Sequence, residues 1–213
     1  MLFNDAINAM VGTKASIDEV ILHKCLMLDG SKLTMDNIID FINGQAIELN
    51  IEDATKLFTY YNDIQTHIIN TSGYNICIEL LRSMVLGTTG KMGFGYNVLS
   101  KMDEENIRQC FRTANLCENP LERAARIYAT IVEYNAVENH SEAIGYLMML
   151  YSLKKDGYTP YIPTDSHIEG MLSIRKVTSF SDKVDKMLNV LRAFYPEVQE
   201  HYYDLDGVNK YYK

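Results

Sequence analysis

A chain of 213 residues, 47% hydrophobic and 23% charged, has the composition of an ordinary folded protein and the length for one substantial core. Its formal net charge of -8 argues against a nucleic-acid partner held by phosphate neutralisation, which needs a basic stripe that the sequence lacks. No apolar run reaches the length of a membrane span and the N-terminus lacks the charged-then-apolar layout of a secretory signal, so a cytoplasmic chain without a membrane partner is expected.

In chain order, the spacing of apolar residues predicts helices almost throughout. A short opening helix around Ala6 to Val11 stops at Gly12. Ser16 and Glu19 form a capping box for a helix carrying Ile17, Val20, Ile21, Lys24 and Leu28, which ends at Asp29-Gly30. Thr34 caps the next, with Ile38, Ile39 and Ile42, ending at Asn43-Gly44. A long helix follows from about Glu52 to Ile69 with Ala54, Leu57, Phe58, Tyr61, Ile64 and Ile68 inward, and another from about Asn75 to Leu86. Gly87 to Asn97 is a glycine-rich loop without the GxxxxGK[ST] pattern of a phosphate loop, and a helix through Ile107, Cys110 and Phe111 comes after it.

Asn119 and Pro120 then make an N-cap and a first-turn proline for a helix with Leu121, Ala124, Ala125, Tyr128, Ile131 and Val132 on one face. A polar elbow, Tyr134 to Glu142, separates it from a helix bearing Ile144, Leu147, Met148 and Tyr151, which Lys154, Lys155 and Gly157 bring to an end. Thr164-Asp165-Ser166 caps a short helix through Met171 and Leu172. Ser181 opens the last helix, with Val184, Met187, Leu188, Leu191 and Phe194, and Pro196 is expected to end or bend it before a tyrosine-rich tail. Cys25, Cys77, Cys110 and Cys117 show no CxxC spacing and read as free thiols, and the five histidines form no HxxxH pair, so no dedicated metal site is expected.

The segment Asn119 to Pro163 resembles the core of the Fic (Fic/Doc, fido) family, a helix, then H-P-F-x-D/E-G-N-G-R-x-x-R on an elbow, a buried helix and a G-Y-x-P turn. Without a gap, Tyr134 takes the histidine place, Asn135 the proline, Ala136 the phenylalanine and Glu138 the acid. Asn139, His140 and Ser141 take the Gly-Asn-Gly, and Glu142 and Gly145 the two arginines. The lead-in Asn119 to Ala125 and the exit Asp156-Gly157-Tyr158-Thr159-Pro160 fit the pattern more closely than the elbow does. Leu28 to Thr34 resembles an upstream segment whose glutamate in that family obstructs the nucleotide pocket, with Asp29 at the glutamate place followed by Gly30. Gly95-Tyr96-Asn97 is a loose match to the turn that opens the family's target-binding flap.

The resemblance implies an all-α, single Fic-like helical domain over 1–213, with a short reduced β-hairpin flap at most. It covers about residues 20–175, leaving 1–15 and 176–213 as helical extensions or tail. It also implies a transferase chemistry in which a histidine is general base, an acid holds magnesium, and arginines clamp phosphates. Only Glu138 survives as a metal-holding position. Tyr134 is no base at neutral pH, since a phenol titrates near ~10. Glu142 reverses the charge of a clamp, and Asn139 and Ser141 replace glycines. Asn139 to Glu142 instead reads as a cap followed by Glu, which closes the helix end. The expectation is a degenerate Fic-like pseudoenzyme that binds a protein partner through Gly95, Tyr96 and Asn97 or the tyrosine-rich tail. No cofactor enters this reading. The alternative is a diverged transferase acting on a protein hydroxyl, with Mg2+ and a nucleotidyl or phosphate-containing donor, through Glu138 or His140.

Overall fold

Side-chain caps set where the helices begin. In the computed structural model, which describes residues 15–45, 48–69, 75–86, 101–137 and 139–206, the protein is all-α. Helix α1 spans Ile17–Leu28, α2 Met35–Ile42, α3 Ile51–Asp63, α4 Ile78–Leu86 and α5 Lys101–Asn115. After them come α6 (Pro120–Glu133), α7 (Ser141–Lys155), α8 (Asp165–Ile174) and α9 (Phe180–Asp206). Glu19 reaches back to the Ser16 amide at 2.6 Å, Thr34 accepts from Asn37 N at 3.3 Å, and Asn50 accepts from Asp53 N at 2.8 Å. Asn119 Oδ1 takes the amides of Leu121 and Glu122 at 3.0 and 3.1 Å, ahead of Pro120 at the first helical position. The opening helix, the glycine-rich loop and the last residues of the tail lie outside the described residues.

The ends are also chemically specified. Gly30, Gly44 and Gly157 take φ of +73°, +71° and +80°, and the amides that follow, those of Ser31, Gln45 and Tyr158, bond back to Leu26, Asp40 and Leu153 carbonyls at 2.8 to 2.9 Å. Helix α3 runs on as a π-helical turn, Ile64–Ile69. The carbonyls at its end are met by Lys154 of α7, whose ammonium donates to Ile68 O and, at 2.6 Å, to Ile69 O.

The pair α6 and α7 is the centre of the structure. Helices α5 and α9 pack on α6, while α1, the π turn and α4 pack on α7. Every residue of α7 from Ser141 to Leu153 is buried, so this helix has no solvent face. Gly145 allows the close approach of α6: a Cβ there would lie 3.2 Å from Tyr128 Cδ2. The start of α6 is tied to the end of α7 by Arg123, whose Nη1 donates to both carboxyl oxygens of Asp156 at 2.6 and 2.7 Å and whose Nε donates to Cys117 O at 3.2 Å. The Gly-Tyr-x-Pro exit folds under the last helix, where Tyr161 meets Phe194 edge-on at 4.7 Å and Tyr146 donates to Tyr161 O at 2.7 Å.

Two expectations are corrected. In α3 the buried face is Lys56, Leu57, Thr59, Tyr60 and Asp63, whereas Phe58, expected inward, is 49% exposed. The helix is turned so that Lys56 and Tyr60 reach Asp29. Helix α9 runs through Pro196 to Asp206 instead of ending there. All four cysteines are free, with Cys25 fully buried. Among the described residues no helix is long and apolar enough to cross a membrane.

Candidate functional site

The site is assembled from the end of α1, one face of α3 and the elbow between α6 and α7. Asp29 closes α1 as its C-terminal cap, with the positive-φ Gly30 behind it. Its carboxylate is only 2% exposed, so it needs donors. Tyr60 donates to Oδ2 at 2.8 Å, and His140 Nδ1 stands 2.6 Å from the same oxygen. Because an ionised carboxylate only accepts, this pairing places the Nδ1 proton on the imidazole. Lys56 brings its ammonium to 3.8 Å from Oδ2, and donates to Asp29 O at 3.3 Å and to Glu52 Oε1 at 2.7 Å. Lys56 and Tyr60 stand one turn apart on α3, which is why both reach one carboxylate.

Beside this cluster lies a half-open cavity of about 530 Å³ lined by Asp29, Glu52, Thr55, Lys56, Asn139 and His140. Its size is in the range of small-molecule sites. Deeper along the same face of α3 sits Asp63, fully buried, with neither carboxyl oxygen bonded to any described residue. Burial pushes the Asp63 carboxyl up to about 8. The Tyr60 phenol is driven well above its usual range, by burial first and by the Asp29 charge next.

The elbow itself is built on two asparagines in the left-handed region, Asn135 at φ 43° and Asn139 at φ 57°. Asparagine adopts that region more readily than most other non-glycine residues, which explains how an elbow without glycine turns twice. Ser141, buried at the start of α7, donates to Val137 O at 2.8 Å and accepts from Val137 N at 3.0 Å, closing the turn on itself.

The side chains singled out by the motif part company here. Asp29, Asn139 and His140 share the cavity wall. Glu142 does not line that cavity: its side chain is 7% exposed and meets Arg175, the C-terminal cap of α8, at 3.4 Å, and Arg175 also donates to Asn135 Oδ1 at 2.9 Å. The expected cap is corrected as well. The N-cap of α7 is His140, not Asn139, and its ring makes no capping bond because Asp29 holds it. Glu142 turns to a cation at the end of another helix rather than back to the helix start.

Tyr134 is half-buried at the end of α6, and burial, followed by the nearby Cys110, raises its phenol further from neutrality. Gly145 faces Tyr128 inside the core, where no arginine-sized side chain fits. Glu138, Gly95, Tyr96 and Asn97 lie outside the described residues. Among the described residues no group of three or more His, Cys, Asp or Glu is placed to hold a metal ion. Sequence reasoning missed Glu52, Lys56 and Tyr60; their one signal was the run of polar residues at four-residue spacing, Glu52, Lys56 and Tyr60, along a helix expected to bury a different face.

Compared with models of known families, with curated proteins and with solved structures, the chain matches none of them.

Proposed function

We propose that the chain is a diverged Fic-related protein that has given up triphosphate chemistry and acts by binding a protein partner. One observation carries this reading: among the described residues of the elbow, His140 and Glu142 are both bonded within the protein itself. His140 is engaged by Asp29 at 2.6 Å, and Glu142 is buried against Arg175. Among the described residues the cavity beside the elbow is lined by two carboxylates and no arginine, and the lysine there donates to Glu52 and to Asp29 O. Phosphoryl transfer draws on cationic clamps for the developing charge, and the described residues of this wall offer none that is uncommitted.

A second reading, a diverged transferase acting on a hydroxyl, has one observation in its favour. An imidazole whose Nδ1 is held by a buried carboxylate, at the edge of a cavity, is the arrangement of an oriented general base. In this reading Mg2+ and a donor would bind near Glu138.

Thermal-shift titration with ATP, ADP, GTP and CDP-choline, with and without magnesium, separates the two. A ligand that binds only the folded state raises the midpoint in a concentration-dependent, saturable way. The binding-protein reading expects no saturable shift from any of these donors at millimolar concentration. A magnesium-dependent shift lost in His140→Ala, whose fold is checked by circular dichroism, would replace it with the transferase.

A further inference from the structure

We propose that the cavity beside Asp29 is a binding site for a small neutral polyol, a molecule of sugar or cyclitol size with adjacent hydroxyls. This inference goes beyond the partner-binding function and does not depend on it.

The argument starts from how Asp29 is satisfied. Among the described residues the donors that reach its side chain, Tyr60 at 2.8 Å, His140 at 2.6 Å and Lys56 at 3.8 Å, all fall on Oδ2. None falls on Oδ1, although the side chain is 2% exposed and lines the cavity. A carboxylate oxygen that is desolvated on one side and unbonded on the other is an acceptor held ready for a ligand's donor. It is also held rigidly. Tyr60, Lys56 and the α1 C-cap fix it from two helices, which is the support a binding group needs.

The charge of the wall selects the kind of donor. Glu52 and Asp29 face the cavity with two carboxylates, which opposes a phosphate or carboxylate ligand. Lys56 lies between them, 2.7 Å from Glu52 Oε1, and opposes a ligand ammonium. Neutral hydroxyls meet neither repulsion. Each hydroxyl donates one proton and accepts with two lone pairs, so adjacent hydroxyls can donate to Asp29 Oδ1 while accepting from the Asn139 amide. Thr55 adds a hydroxyl whose proton is already given to Ile51 O at 2.8 Å, leaving its lone pairs as acceptors. The volume of about 530 Å³ suits a molecule of this size.

The test is saturation-transfer NMR on the full chain with myo-inositol, glucose and ribitol, set against ethanolamine and inorganic phosphate. Melting temperature is a poor readout here because concentrated polyols stabilise any folded protein by exclusion from its surface. The expected result is a saturable signal from at least one polyol at millimolar concentration, weaker by tenfold or more in Asp29→Asn. The signal is lost in Thr55→Trp, which fills the cavity from a helix face that is not fully buried and keeps the test valid should Asp29→Asn fail to fold. No saturable signal from any polyol, a signal unchanged in Thr55→Trp, or preferential binding of ethanolamine or phosphate would overturn the proposal. None of these outcomes bears on the nucleotide titration, so the two readings fail separately.

Discussion

Asp63 is a fully buried carboxyl without a described hydrogen-bond partner. Its ordinary value of 3.8 rises to about 8 because burial penalises the charged form and no described group bonds either oxygen. The native state therefore holds a proton on Asp63 between those two values that the unfolded chain has released. The associated stability is complete below 3.8 and is lost as pH rises through about 8. Asp63→Asn removes this dependence while keeping the shape. The variant is expected to gain on the parent by up to about 1.4 kcal/mol per pH unit between pH 4 and 8, read from urea unfolding at a series of pH values. A constant difference across that range would show that Asp63 is ionised in the folded protein. At this scale the sequence was only partly legible. Asp29 stood out because it ends a helix before a glycine, but Lys56, Tyr60 and Asp63 did not. Their partners come from another helix and from an elbow far along the chain, and helical periodicity carries no trace of tertiary partners.

Helices, by contrast, were readable from caps and glycines. Thr34, Asn119-Pro120, Thr164 and Gly157 mark ends that local chemistry decides, and local chemistry is written in neighbouring residues. What periodicity did not reveal is that α7 is enclosed on all sides, since a single apolar face describes a surface helix and a central one equally well. That enclosure decides what position 145 can hold. Gly145 lies against the fully buried Tyr128 ring, so Gly145→Arg forces a charge into a filled core. Loss of cooperative folding is expected, a cost above about 4 kcal/mol, read by circular dichroism and thermal melting. Gly145→Ala sets the helix propensity of alanine, about 1 kcal/mol, against a 3.2 Å approach to Tyr128, and a net effect within about 1 kcal/mol of zero is expected. A soluble, normally melting Gly145→Arg protein would mean that α6 and α7 separate at this point.

For the whole molecule, the all-α architecture was the most legible feature, because nearly every segment carries its own helical period. The cavity was the least legible, because it exists only where α1, α3 and the elbow meet. That dependence has a kinetic consequence. The His140 contact with Asp29 closes a loop of 111 residues and the Tyr60 contact one of 31, whereas α6 and α7 are neighbours in sequence. Loop closure of this length is entropically costly, so the α6–α7 hairpin is expected to organise the folding transition state, and the cavity to form after it. Tyr60→Phe removes a hydrogen bond to a buried charge at a cost of about 1.5 to 3 kcal/mol. Stopped-flow measurements should find this almost wholly in an unfolding rate roughly tenfold or more faster, with the refolding rate near that of the parent. Equal slowing of refolding would place Asp29 in the nucleus instead. A wall assembled last is also the first to come apart, so local openings would expose the Asp29 carboxylate to water well before the α6–α7 pair separates.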